Sequence, residues 1–263
     1  SVSDSAEDAY DHSCILLALA FALKAGHKDA ARLGSETFAF IDRHLSADGG
    51  ASFLETSQCG NPRRSNPHMH LFEAFLAWHK VTGEAAYLAR ATKIANLFAA
   101  RFFDPDTWTL GEYFESDWLP AAGDKGTWTE PGHHFEWASL LVEYGEAANQ
   151  PEFFGFARKL YASAIANGLN RATGLAYDAV SKSGIPLVPM AEPATGTSRS
   201  WPQTEALKAA MALDRIHGPD MKPEIEARAN RLFRWHIEPA PQGLWIDLID
   251  EKGRAKSADV PAS

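Results

Sequence analysis

The 263-residue sequence predicts an all-α fold, an α/α toroid of concentric inner and outer helices. Three observations carry this expectation. Apolar residues recur at helical spacing in eight successive stretches, with Gly, Asn or Asp at the joints. The stretches come in pairs, and each pair is followed by a short segment of Gly, aromatic and β-branched residues that reads as a small hairpin or loop. The pattern returns every roughly 60 to 70 residues, the mark of a repeat architecture.

In chain order, DSAEDAYDHSCILLALAFALKAG and HKDAARLGSETFAFIDRHL form the first pair, with DGGASFLET after it. The second pair is PHMHLFEAFLAWHKVTG and EAAYLARATKIANLFAARFF, followed by TLGEYFESDW. The third is HHFEWASLLVEYGEAAN and PEFFGFARKLYASAIANGL, followed by TGLAYDAVSKSG. The fourth is PQTEALKAAMALDRIHG and MKPEIEARANRLFRWHI, followed by QGLWIDLIDEKG. The fourth and eighth stretches are richly charged; EAAYLARATKIANLFAARFF and PEIEARANRLFRWHI read as outer helices with one side in solvent. Pro67, Pro131 and Pro202 sit in first turns, where a missing N–H costs nothing, and Asn66 is placed to cap the helix that Pro67 opens.

The repeats align on a carboxylate. His70 precedes Glu73, His133 precedes Glu136 and Pro202 precedes Glu205, each by three positions; His12 and Ile15 take the same places in the first pair. Residues i and i+3 share a helix face. Each repeat therefore offers a polar spot at the start of its inner helix. A closed ring would converge these spots on one pocket, and an open helical array used as a scaffold is the alternative that periodicity leaves standing.

Composition limits the partners. A net charge of −9 and no Lys/Arg block argue against nucleic acid. The apolar run CILLALAFAL is too short to span a bilayer, and the acidic SAEDAYDH before it is unlike a signal peptide. Cys14 and Cys59 make no disulfide framework, so a reducing cytoplasm is the expected location.

The chemistry concentrates in EPGHHFEWASLL. A histidine at a helix N-terminus feels the positive end of the dipole, which favours the neutral imidazole, a form that acts as a base. Glu136, one turn on, is placed to orient the ring of His133. The plainer reading makes Glu136 a helix-start acid and the histidines surface residues. His70 and Asn66 form the corresponding group one repeat earlier, with His68 on a different face. Glu205 is either a pocket acid or a first-turn complement to the dipole. His12 reads as a hydrogen-bonded core residue. Trp108, Tyr113, Phe114, Trp118, Trp128, Trp137, Trp201 and Trp245 suit either sugar faces or the core, and Arg63 and Arg64 either a phosphate or a solvated loop. Zinc is disfavoured because neither His-Glu-x-x-His nor a Cys-rich spacing occurs.

NPHMHLFEAFLAWHKVTG, RFFDPDTWTLGEYFESDW, EPGHHFEWASLL and WPQTEALKA, in this order over essentially the whole chain, resemble the N-acylglucosamine 2-epimerase family, and within it bacterial mannose and mannose-6-phosphate isomerases. The resemblance implies an (α/α)6 barrel, of which residues 1–263 hold about four of six helix pairs as one domain lacking parts at both ends. It implies a sugar aldose–ketose isomerase working by proton transfer through a cis-enediolate, with a 2-epimerase as runner-up; a glycoside hydrolase or lyase on the same toroid and a non-catalytic binding protein remain the other readings. It assigns His133 and Glu136 to catalysis and Asn66, His70 and Glu205 to sugar binding, and leaves His134 out. No metal or redox cofactor is implied, and the partner is a small-molecule sugar, with a homodimer left open. The family's second catalytic histidine belongs past Ser263 and its pocket arginine before Ser1, so this stretch alone is expected to be inactive or crippled.

Overall fold

The structure, a computed structural model, describes residues 7–58, 62–188, 195–216 and 220–256. Cys59 lies outside them. All eight expected helices form: α1 (Ala9–Lys24), α2 (Ala30–Phe40), α3 (Asn66–Thr82), α4 (Ala85–Leu97), α5 (Pro131–Ala148), α6 (Phe153–Asn167), α7 (Ser200–Arg215) and α8 (Lys222–Leu232). Asp8 caps α1, its carboxylate accepting the Tyr10 N–H at 2.6 Å. Asn66 is not the cap of α3 but its first residue. Ser65 takes the cap position and directs its hydroxyl to Glu112 at 3.0 Å.

Three outer stretches differ from the expected continuous helix. They end in a π-turn at Ile41–Leu45, Phe98–Phe102 and Phe233–Ile237. The wider i→i+5 turn lets Ile41 and Leu45, or Phe98 and Phe102, both bury before the chain becomes extended at Ser46 or Phe103.

The contacts divide the chain into two compact units. In the first, α1 packs on α2 and α3, and α3 packs on α4. Trp78 holds three of these together. Its indole N–H donates to the Leu16 carbonyl at 2.8 Å, its ring meets Phe38 edge-on at 5.3 Å, and it lies so close to Gly34 that any Cβ there would overlap it. Truncating such a buried Trp costs about 3–5 kcal/mol. In the second unit α5 is the most enclosed helix, with every residue from Pro131 to Val142 buried. A helix buried all round has no solvent stripe, which is why its sequence reads as apolar on every face. By contrast α8 buries only Arg228, whose guanidinium pairs with Glu224 at 2.6 Å while Glu224 also accepts from the Tyr161 hydroxyl at 3.2 Å. It is an outer helix, as its charge predicts.

The segments after the helix pairs are hairpins of very short strands, and they return to the residues that precede their own inner helix. Arg63–Arg64 pairs with Tyr113–Phe114, Trp128–Thr129 with Val180–Ser181, and Ser198–Arg199 with Leu248–Ile249, all antiparallel. An isolated bridge, Asp8 to Thr56, does the same for the first pair. Each repeat is thus closed by a small ladder at the inner-helix N-terminus. Among the described residues no helix is long and apolar enough to cross a membrane.

Candidate functional site

Three inner helices start with one hydrogen-bonding arrangement. In α3, His68 donates Nδ1–H to the Arg64 carbonyl at 2.9 Å and accepts the Phe53 N–H on Nε2 at 3.0 Å. In α5, His134 donates to the Glu130 carbonyl at 2.9 Å and accepts the Leu110 N–H at 3.0 Å. In α7, Gln203 donates to the Arg199 carbonyl at 2.9 Å and accepts the Ala176 N–H at 2.8 Å. Each side chain clamps the first turn of its helix to the hairpin before it. The pattern assigns both imidazoles as neutral with the proton on Nδ1. Burial pushes the His68 imidazole down from 6.5 to about 3. His12 makes the first half of the clamp, from Nδ1 to the Asp8 carbonyl at 2.7 Å, and stacks on Phe40.

The clamp corrects the alignment drawn from His-to-Glu spacing. His68, His134 and Gln203 are equivalent, so His70 corresponds to Glu136 and Glu205, and His133 corresponds to Pro67 and Pro202. Letter spacing had matched His70 to His133. What fixes equivalence is the distance along the helix from the hairpin contact, which the spacing between a histidine and a glutamate does not report.

At the start of α5 the two neighbouring histidines hold one residue by its two ends. His134 takes the Glu130 carbonyl, while the Nδ1 of His133 lies 3.6 Å from the Glu130 carboxylate. The other oxygen of that carboxylate accepts the Trp128 indole N–H at 3.1 Å. The Trp201 ring lies beside the His133 imidazole, centroids 5.4 Å apart and planes tilted by 39°. Gly132 is required here: a Cβ would run into the Trp201 indole and the Pro202 ring. His133 and Glu136 are 7% and 6% exposed, which removes them from the surface reading. The acid that the structure places at the His133 Nδ1 is Glu130, which the sequence reading had not singled out. Its signal was positional: it stands four residues before a clamp, where the flanking repeats carry Arg64 and Arg199.

On α3, half-buried His70 has its Nδ1 3.8 Å from Glu73 and the Tyr10 ring edge-on at 4.8 Å, with Asn66 half-buried one turn earlier. On α7, Glu205 pairs with Lys208 at 2.6 Å. Arg63 and Arg64 are committed to the fold. Arg63 lies 3.9 Å over the Trp118 ring and donates to the Phe53 carbonyl at 3.2 Å. Arg64 donates its side chain to Glu55 at 2.7 Å and its backbone N–H at 2.8 Å. Burial still raises the Glu55 carboxyl, against the lowering effect of Arg64. Asp178 repeats the arrangement, accepting the Arg199 N–H at 2.8 Å.

Chemically, the α5 start offers a buried imidazole with a carboxylate at one nitrogen and an aromatic face alongside. That is the equipment of a general base with an apolar wall for its substrate.

The sequence model of a family described as N-acylglucosamine 2-epimerase (GlcNAc 2-epimerase) matches residues 1–263. A mannose-6-phosphate isomerase of Rhizobium meliloti (strain 1021) is 35% identical over 218 residues, which is 81% of this chain and 54% of that protein. A crystal structure of D-mannose isomerase has a TM-score of 0.81 at 19% identity, over 96% of this chain and 67% of that one. The cellobiose 2-epimerase of Bacillus thermoamylovorans B4167 has a TM-score of 0.81 at 14% identity, over 97% of this chain and 67% of that one. The chain spans about half the length of the curated relatives it matches. The structural likenesses show that its fold is the α/α toroid expected from the helix pairs.

Proposed function

The chain belongs to the N-acylglucosamine 2-epimerase family, and from that premise we propose that the protein is a sugar isomerase interconverting an aldose and a ketose of the mannose or mannose-6-phosphate type. The observation that carries this is His133, buried at the first turn of α5 with a carboxylate 3.6 Å from Nδ1 and the Trp201 ring beside it. A proton on Nδ1 leaves Nε2 as the basic nitrogen. In the open-chain aldose, Nε2 takes the proton from C2; the C2–H electrons form the C1–C2 double bond, and the carbonyl π electrons move to O1. The product is a cis-enediolate. Return of that proton from Nε2 to C1, with the O2 proton passing to O1 as the C2 carbonyl forms, gives the ketose. The positive end of the α5 dipole favours the anionic intermediate.

Glu136 is proposed as the second catalytic group on α5, and Asn66, His70 and Glu205 as sugar contacts. Their support is the match of each to the family motifs. The partner is a small sugar, and the mechanism proposed calls on no redox cofactor.

The test is proton NMR of the protein with a panel of aldoses and their phosphates in D2O. Ketose formation with deuterium incorporation at the reacting carbons is the expected result. Exchange with only the C2 epimer formed would move the assignment to a 2-epimerase, and disaccharide hydrolysis without exchange would overturn it.

A further inference from the structure

We propose that Glu130 is a positioning residue for His133, holding the imidazole in the Nδ1–H tautomer so that Nε2 faces the substrate as the bare base. The inference rests on the reading of His133 as the base. Glu130 is fixed at both ends. Its carbonyl is held by His134 at 2.9 Å, and its carboxylate by the Trp128 indole N–H at 3.1 Å. Trp128 in turn is set by the ladder that pairs it with Ser181. The carboxylate therefore has little freedom, and its second oxygen stands 3.6 Å from the His133 Nδ1, on the side where it favours a proton on that nitrogen.

The need for this acid follows from its location. An imidazole that accepts a proton at a helix N-terminus becomes a cation at the positive end of a dipole. A carboxylate at Nδ1 offsets that cost and favours the proton on the nitrogen it faces, the role a buried acid plays for a catalytic histidine elsewhere. The comparison between repeats points the same way. The position four before the clamp is Arg64 ahead of α3 and Arg199 ahead of α7. Each donates its backbone N–H to a hairpin acid, Glu55 or Asp178. Ahead of α5 the charge is reversed, in the one of these three repeats where histidine replaces proline beside the clamp. A helix-start acid serving only the dipole would complement α3 and α7 equally, and neither has one at that position.

The experiment follows the tautomer of His133 by nitrogen NMR of histidine-labelled protein, alongside kcat and KM, in the unaltered protein and in Glu130→Ala, Glu130→Asp and Trp128→Phe. The expected result is Nδ1 protonated and Nε2 bare in the unaltered protein. In Glu130→Ala the proton is shared between the nitrogens, and kcat falls on the order of ten- to a hundredfold with KM within about twofold. Glu130→Asp recovers part of the loss, and Trp128→Phe, which keeps the acid but frees it, falls between. A proton that stays on Nδ1 in Glu130→Ala, or that sits on Nε2 from the outset, overturns the proposal whatever the turnover. A tautomer that shifts in a protein that isomerises no sugar would uphold the positioning and sink the functional reading instead.

Discussion

At the start of α3, Arg64 binds Glu55 through both its guanidinium and its backbone N–H, Pro67 stands in the first turn, and His68 ties the helix to Phe53. At the start of α5 the same three places hold Glu130, His133 and His134. The clamp is kept, since His134 makes both bonds that His68 makes. What changes is the pair of residues around it, from arginine and proline to glutamate and histidine. The comparison teaches that one clamp can build both helix starts while the residues beside it change in charge and kind.

The sharpest way to break the comparison is to swap the roles of the adjacent histidines. With His133 as the base proposed above, replacing it with Gln should lower ketose formation by about 10²- to 10⁴-fold while the urea midpoint moves little, since the helix clamp is made by His134. Equal loss of stability and activity would show that His133 is a second clamp.

His68→Ala should do the opposite. It leaves the buried Phe53 N–H without its acceptor and opens a cavity, so a loss of roughly 3 kcal/mol in urea unfolding is expected. The same residue predicts a pH effect. Its folded value, about 3, lies below the 6.5 of a free imidazole, so the unfolded chain binds a proton that the folded chain refuses. The stabilisation is complete above pH 6.5 and is lost progressively as pH falls toward 3, with roughly 2 kcal/mol gone by pH 5. Urea midpoints from pH 7 to 5 should fall less in His68→Gln, which keeps the clamp as Gln203 does but cannot be protonated. An unchanged slope in that variant would remove His68 from the acid response.

The smallest effect is expected from His134→Gln. Gln203 already makes this clamp in α7, with 2.8 and 2.9 Å bonds. The change should cost under about 1 kcal/mol, read from the same unfolding curves. A cost as large as that of His68→Ala would mean that the three clamps are not equivalent.

Much of this was legible in the letters. Helical periodicity found all eight helices, because an inner helix must be apolar on its core faces and an outer one must keep a polar stripe. The polar residues at inner-helix starts were also visible, since a carboxylate or imidazole interrupting an apolar turn needs a reason. Other features were not. The closing ladders are two residues long and leave no alternation to read. The π-turns extend a helical pattern without breaking it. Arg63 and Arg64 looked available for a phosphate until the structure placed Trp118 under one and Glu55 against the other.

The sequence by itself determined the helix pairs, their period and the residues able to do chemistry, because these depend on hydrophobic spacing and side-chain type. The resemblance to the family singled out His133 and set His134 aside; only the tertiary structure decided what His134 holds and that Glu130 stands at the His133 Nδ1. That decision rests on contacts between residues far apart in the chain. The N–H of Leu110 seeks an acceptor and finds His134, and the indole of Trp128, fixed by a ladder to Ser181, turns Glu130 toward His133.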